Sequence, residues 1–202
     1  QFLAAANPFV FGTFTLYEGR SSYNLNQVSI THHFVELAGE QPGIYYGYYF
    51  LELADYFGQE GTDEKESMNL LYVTVKALLN PHIEDRLVRC IFELRMMAAQ
   101  GLCPSLFHCV CCERQPVEGE EIFFSQQNHG ILDKHCLGQV NDAKRISAPA
   151  LYAMQYIVTT SLGKLYTFTV TEEVLYELER HIHTYVASNT EKRFKSLEIL
   201  EI

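Results

Sequence analysis

Apolar and polar residues alternate along the first part of the chain. The alternation runs through FVFGTFTLYEGR, residues 9–20, and SYNLNQVSITHHF, residues 22–34, with Gly19 in the turn between them. The apolar positions of the second run are Tyr23, Leu25, Val28 and Ile30. A period of two predicts a β-hairpin within residues 1–37. Two strands alone are marginally stable, so we interpret them as part of a small β domain whose front strands are missing.

After the hairpin, apolar residues recur every three or four positions, which is typical of helices packed on a core. IYYGYYFLELADYFG, residues 44–58, predicts a first helix. Asp63 and Glu66 suggest a capping box for a second helix, and Asn80 followed by Pro81 suggests the start of a third.

The second half of the chain adds a cysteine-rich interval and further helices. The interval 108–146 contains a short apolar strand, EIFFS. Ser147 is placed to cap the next helix, and Thr169 with Glu172 to open a last long one. The order of these signals predicts an α+β protein with part of a small β domain, a mainly helical domain and a small inserted module resembling a zinc knuckle. The predicted bounds are 1–37 for the β domain, 38–107 and 147–202 for the helical domain, and 108–146 for the module.

Composition restricts the class of protein. Hydrophobic residues make up 48% of the 202 residues, enough for a sizeable core, and no apolar run is long enough for a membrane span. The first residues lack the pattern of a signal peptide. Six cysteines, three of them crowded together, favour a reducing compartment, so we expect a cytoplasmic protein. The net charge of −10 argues against nucleic-acid binding by bulk electrostatics.

The cysteines have the spacing of a metal site. HCVCCERQ places Cys109 and Cys112 in a C-x2-C pair, and DKHC adds Asp133 and Cys136. Two such pairs at this separation are typical of a tetrahedral zinc module, here with one carboxylate among the ligands. The competing fourth ligands are Cys111, His108, His129 and His135. A degenerate site without metal and thiol redox chemistry remain alternatives, and Cys90 and Cys103 are expected to be a core and a loop residue.

These pieces in their order resemble the bacterial recombination mediator family RecO. The resemblance is carried by four stretches: NPFVFGTFTLYEGRSSYNLNQVSITHHF, FELRMMAAQGLCPSLFHCVCCE, HGILDKHC and HTYVASNTEKRFKSLEIL. Two positions depart from the family pattern, since Asp133 replaces its third cysteine and His129 the first glycine of its Gly-Gly. The first stretch fits the last strands of the family's barrel, so the resemblance implies a partial oligonucleotide-binding (OB-type) β-barrel in residues 1–37. It also implies a basic front to that barrel, and we expect the lack of this front in the sequence to account for the acidic balance of the chain.

The resemblance implies a non-enzymatic factor in DNA repair and recombination. Such a protein binds single-stranded DNA and anneals complementary strands. With a RecR-like ring protein it loads the recombinase RecA onto DNA coated with single-strand-binding protein, at the nucleoid. Arg20, Tyr17 and Tyr23 are the candidate DNA contacts, with Phe14 as a further aromatic residue. The ordinary alternative makes Phe14 a core residue and Arg20 a solvated turn residue.

Arg95 is a candidate partner-binding residue. At 100° per residue it falls within the apolar arc of the third helix, where a charge needs a partner. The resemblance implies the acidic tail of single-strand-binding protein as a ligand, whereas an internal salt bridge with Glu52 or another helix acid is the ordinary alternative. Two other function classes stay open: an interaction scaffold without DNA binding, and a zinc-dependent hydrolase using the cysteine cluster.

Overall fold

The computed structural model describes residues 2–200 and is mixed α and β, as predicted. The helices and strands are α1 (Phe2–Ala5), β1 (Val10–Glu18), β2 (Tyr23–His33), α2 (Gly43–Phe57), α3 (Lys65–Leu78), α4 (Asp85–Ala99), β3 (Ile122–Ser125), β4 (Gly130–Asp133), β5 (Lys144–Ile146), α5 (Ala148–Thr159), α6 (Glu172–Ser188) and α7 (Lys195–Leu200). Three short 3₁₀ helices cover Val35–Gly39, Lys134–Gln139 and Leu162–Lys164.

The N-terminal strands form the predicted hairpin. β1 and β2 pair antiparallel, and within residues 2–200 they form a two-stranded sheet rather than a closed barrel. The base of the hairpin is seated on α2, where the ring of Phe9 packs over Gly47. A Cβ at Gly47 would lie 2.9 Å from that ring, so glycine permits this close approach. Most of the remaining hairpin is exposed.

Helix α4 lies at the centre of the helical core. It packs against α2, α3, α5 and α6, and its apolar side chains are almost completely buried. The rings of Phe92 in α4 and Phe50 in α2 have centroids 4.4 Å apart. A helix that is apolar on most of its circumference is typical of a position enclosed on several sides.

One predicted helix start is confirmed. The Oγ atom of Ser147 accepts a hydrogen bond from the backbone N–H of Ala150 at 3.3 Å, which satisfies a donor in the first turn of α5. Pro149 lies in the same turn, where its missing N–H costs little.

Three other predicted starts are displaced by one to four residues. Asn80 Oδ1 accepts from the N–H of His82 at 3.1 Å, so Asn80 and Pro81 belong to a turn. The chain buries Ile83 before α4 begins at Asp85. At α3, Glu64 rather than Asp63 occupies the cap position and accepts from Ser67 Oγ. At α6, Thr171 rather than Thr169 precedes the helix.

The cysteine module contains a three-stranded antiparallel sheet in the order β4–β3–β5. On one face, Ile122, Phe124, Ile131 and Ile146 join the main hydrophobic core. On the other, Leu132 packs with Cys109 and Cys136 in a separate small cluster. The sheet is therefore shared between the helical core and the cysteine cluster, and the domain bounds proposed from the sequence stay a prediction.

Phe92→Ala should destabilise the chain strongly. Phe92 is 0% exposed, so truncation removes buried ring contacts and leaves a cavity between α4 and α2. We expect the free energy of unfolding to fall by about 3–5 kcal/mol. Urea denaturation followed by circular dichroism measures this loss, and a value below about 1 kcal/mol would contradict the packing described.

His181 in α6 should make stability depend on pH. It is 1% exposed and lies against Phe124. Burial, followed by the positive charge of Arg180, lowers the pKa of His181 from 6.5 to about 4, although Glu177 opposes this shift. Between these values the unfolded chain binds a proton that the folded chain does not. The free energy of unfolding should therefore decrease as pH falls through this window.

His181→Gln removes this titration. Lowering the pH from 7 to 5 should reduce the free energy of unfolding. We expect this reduction to be about 2 kcal/mol smaller in the variant than in the unmodified chain. Urea titrations at both pH values measure it. The exposed His82 provides the control, since His82→Gln should leave the loss unchanged. An equal pH dependence in the His181→Gln variant would show that other groups cause it.

Candidate metal centre and nucleic-acid surface

A tight turn positions the first two cysteines. The N–H of Cys109 donates to the carbonyl of Arg114, and the N–H of Glu113 donates to the carbonyl of Cys109, each at 2.9 Å. Glu113 adopts a left-handed backbone conformation with φ 59°, which reverses the chain. The turn folds Cys112 back beside Cys109, as the C-x2-C spacing predicts.

The other two residues are positioned by the end of β4. Asp133 is the last residue of β4, and its Oδ1 accepts hydrogen bonds from the N–H groups of His135, at 2.8 Å, and Cys136, at 3.2 Å. Asp133 thereby caps the 3₁₀ helix Lys134–Gln139. The cap orients Cys136 toward the turn that carries Cys109 and Cys112.

The four predicted ligands converge. The sulfur atoms of Cys109, Cys112 and Cys136 and a carboxylate oxygen of Asp133 all lie within 4.8 Å of one another. Zinc–sulfur bonds near 2.3 Å give a tetrahedron with edges of roughly 4 Å, close to this arrangement. Cys112 Sγ donates to Asp133 Oδ2 at 3.1 Å, and the N–H of Asp133 donates to Cys109 Sγ at 3.4 Å.

The competing ligands lie outside this group. His129 Nδ1 is instead 3.3 Å from the hydroxyl of Tyr185, in α6. Cys111, His108 and His135 are exposed and do not join the four converging atoms. Cys90 is buried in the core and Cys103 lies in a loop, as expected.

Local hydrogen bonds set the charge state of the cluster. The hydrogen bond from Cys112 lowers the pKa of Asp133 to about 2, even though burial opposes the shift. Arg114 also lies 3.3 Å from Asp133 Oδ2. Burial and hydrogen bonds with Cys112 and Cys109 raise the pKa of Cys136 to about 12. The carboxylate of Asp133 is thus charged at pH values where the thiol of Cys136 is still protonated.

The donor set fits a divalent metal of the zinc type. Three sulfur atoms and one carboxylate oxygen provide four protein ligands in a compact arrangement, and the anionic Asp133 is 3% exposed. Four protein ligands leave no open coordination position, which is typical of structural rather than catalytic zinc.

The candidate DNA-binding residues lie on the hairpin and its turn. Tyr17 is 69% exposed in β1, and Arg20 is exposed in the turn before β2. Tyr17 pairs with Asn24, whereas Tyr23 pairs with Glu18. Because adjacent residues of a strand point to opposite faces, Tyr17 and Tyr23 lie on opposite faces of the hairpin. The hydroxyl of Tyr23 also donates to Glu60 at 2.7 Å.

The two faces of the hairpin differ in character. The face that carries Tyr23 is mostly apolar. Besides Glu18, which pairs with Tyr23, it carries Phe14, Leu16, Leu25, Val28 and Ile30. The face that carries Tyr17 also bears Thr13, Thr15, Gln27 and Ser29. Among the predicted aromatic contacts, Tyr17 therefore lies on the polar face, whereas Phe14 and Tyr23 lie on the mostly apolar one.

Arg95 is occupied by internal partners. Its guanidinium donates to the carbonyl of Val158 at 2.6 Å, near the C-terminus of α5, and lies 3.8 Å from Glu66. Cations are stabilised at this end of a helix. Glu52, the acid expected from the sequence, instead accepts from Ser196. The predicted role of Arg95 in partner binding stays a prediction.

A buried polar cluster was not anticipated from the sequence. Glu93 in α4 is 0% exposed and accepts hydrogen bonds from Tyr49, at 2.7 Å, and Arg89, at 2.8 Å. It lies at the wall of a cavity of about 780 Å³ that is also lined by His183 and Arg193. In the helical register, Arg89 and Glu93 fall on one polar face of α4, and this face was the hint that the sequence offered. The sequence does not indicate which residues of α2 and α6 lie next to it.

Comparisons with known proteins identify relatives across the whole chain. The family described as "Recombination protein O C terminal" matches residues 43–198. The DNA repair protein RecO of Alkaliphilus metalliredigens is 27% identical over 198 residues, which cover 98% of this chain and 80% of that protein. The RecO of Clostridium perfringens is 28% identical over 204 residues, covering 100% of this chain and 88% of that protein. No helix within residues 2–200 has the length and apolarity needed to cross a membrane.

Asp133 should tune metal affinity. Asp133→Cys is expected to hold zinc more tightly, and Asp133→Asn less tightly, each by on the order of 10-fold, because thiolate is the softer ligand and a neutral amide the weaker one. Elemental analysis gives the zinc content, and transfer of zinc to a chromogenic chelator gives the affinity.

His135→Ala is the matched control, because His135 is exposed and only one residue from Cys136. It should retain the zinc content and affinity of the unmodified chain. If His135→Ala lost zinc while Asp133→Asn kept it, the ligand set described here would be wrong.

Proposed function

The chain belongs to the RecO family of recombination proteins, and on this premise we propose that it is a non-enzymatic mediator that binds single-stranded DNA. A role in DNA repair follows from the family. The finer activities are proposals: annealing of complementary strands and, with a RecR-like ring protein, loading of RecA onto DNA coated with single-strand-binding protein. The observation that carries the proposal is the family match over residues 43–198, preceded by an exposed hairpin.

The polar face of the hairpin is the proposed DNA contact. Tyr17 offers an exposed ring for base stacking, which contributes about 1–3 kcal/mol per base in comparable sites. Arg20 in the adjoining turn offers a charge for a phosphate. The apolar face with Tyr23 would instead pack against further strands of a barrel.

Zinc in the cysteine cluster would have a structural role. Cys109, Cys112, Asp133 and Cys136 would hold the ion, which would tie the loop after α4 to the end of β4. In small zinc modules the metal contributes on the order of 10 kcal/mol to folding. The carboxylate ligand should make this contribution smaller here.

A zinc-dependent hydrolase is the less favoured alternative. It would need an open coordination position for water, and the four converging protein ligands do not provide one. An interaction scaffold without DNA binding is distinguished from a mediator by salt-dependent binding of single-stranded DNA.

Tyr17→Ala tests the proposed contact. The unmodified chain should bind a labelled oligothymidylate weakly, with a dissociation constant of about 10⁻⁴ to 10⁻⁶ M, because its net charge of −10 opposes binding. Loss of the Tyr17 ring should weaken binding by about 10-fold. Fluorescence anisotropy at two salt concentrations measures both.

Tyr23→Ala is the matched control, because it removes the same ring from the opposite face. Its affinity should equal that of the unmodified chain. An equal loss in both variants would place the DNA across the apolar face or the turn. Binding without salt dependence, or no binding at all, would favour the scaffold.

A further inference from the structure

Four exposed basic residues lie on or beside the small sheet of the cysteine module. Lys144 and Arg145 lie in β5, Lys134 follows β4, and Arg180 comes from α6. We call these four residues the β5 patch. Arg180 donates to the carbonyl of Arg145 at 3.3 Å, and Glu121 lies within reach of both Lys134, at 3.1 Å, and Arg145, at 3.5 Å. All four side chains are exposed.

The β5 patch carries a local excess of positive charge. Within residues 2–200, Glu121 is the only carboxylate at salt-bridge distance from any of its members. The carboxylate of the neighbouring Asp142 accepts hydrogen bonds from Ser125 Oγ, at 2.6 Å, and from the N–H of Gln127, at 2.9 Å. Glu177 accepts from the N–H of Ser147 at 2.7 Å. Only Lys134 and Arg145 contact Glu121, and Arg145 lies on the face of Phe123, opposite the face of Lys144. Two cations therefore share one carboxylate in a chain whose net charge is −10.

Charged residues on an edge strand have an ordinary role. Lysine and arginine on a sheet edge prevent pairing with another chain, and this accounts for Lys144 and Arg145 taken alone. It does not account for Lys134, which follows β4 and shares Glu121 with Arg145, or for Arg180, which reaches the backbone of β5 from α6. Their convergence indicates a surface that attracts an anion.

An aromatic ring lies within this surface. Phe123 pairs with Arg145 across β3 and β5 and is half-buried, so part of its ring is accessible on the face that carries Arg145. Cations combined with an accessible aromatic ring are typical of single-stranded nucleic-acid surfaces, where phosphates and bases are contacted together. An acidic protein segment would use the cations but would not require the ring.

We propose that the β5 patch is a second contact site for single-stranded DNA, separate from the hairpin, with Lys134 and Arg145 holding one phosphate. This inference rests on the proposed function. In the free protein Glu121 bridges the two side chains, as a phosphate would in the complex. Glu121 therefore competes with DNA, and its removal should strengthen binding.

Two variants with opposite expected effects test the β5 patch. The double variant Lys134→Ala and Arg145→Ala should weaken binding of a labelled oligothymidylate about 5- to 10-fold and reduce the slope of log K against log salt by about 1.4, or 0.7 per lost contact. Glu121→Gln should raise the affinity about 2- to 3-fold, since it removes one competing charge. A gain in affinity cannot come from misfolding.

The matched control changes two exposed lysines elsewhere. Lys76→Ala with Lys164→Ala alters the net charge equally but lies outside both the β5 patch and the hairpin. It should affect affinity by less than about 2-fold. Fluorescence anisotropy at two salt concentrations serves all variants, and thermal unfolding verifies that each is folded.

The outcomes separate this inference from the proposed function. If the β5 patch variants behave like the lysine control while Tyr17→Ala still weakens binding, the inference is wrong and the proposed function stands. If the unmodified chain does not bind the oligonucleotide at all, both the inference and the proposed function are wrong. A labelled oligoglutamate peptide is the second probe. Loss of its binding, rather than of oligonucleotide binding, in the β5 patch variants would identify an acidic protein segment and overturn the DNA assignment.

Discussion

Phe124 is almost completely buried in β3, and its ring lies 5.5 Å from that of His181 and 6.0 Å from that of Tyr185, both in α6. Strands of three or four residues are too short to be stable alone, so the small sheet depends on this contact with the helical core. The hydroxyl of Tyr185 also donates to the carbonyl of Leu102, where the chain enters the module. The positions of the cysteines and of the β5 patch follow from how this sheet is held.

The two carboxylate oxygens of Asp133 make different contacts in the same site. Its Oδ1 caps the 3₁₀ helix that positions Cys136, while its Oδ2 faces Cys112 and Arg114. A carboxylate can divide its two oxygens in this way, whereas a single sulfur atom cannot. Asp133 therefore completes the group of four converging ligand atoms, but as a harder ligand that binds zinc more weakly than a thiolate would.

The basic residues of this acidic chain differ in whether they are paired internally or accessible to a ligand. Several are paired within the helical domain. Arg86 pairs with Glu172 and Glu179 at its surface, and Arg89 pairs with the buried Glu93. Arg95 is taken by the end of α5. The accessible cations that remain include Arg20 at the hairpin turn and the β5 patch. Net charge alone is therefore a poor guide to where, or whether, such a chain contacts a polyanion.

Local patterns in the sequence were sufficient for the hairpin, the order of the helices, the cap at Ser147 and the set of candidate metal ligands, because each depends on residues close together in the chain. Tertiary structure decided the rest. His129 lies next to Tyr185, so Asp133 is the residue that joins the three cysteines. Tyr17 and Tyr23 lie on opposite faces of the hairpin. Arg180 of α6 lies at the edge of β5. These outcomes depend on which distant segments pack together, and a side chain's neighbours across a sheet or between helices have no periodic signature of their own.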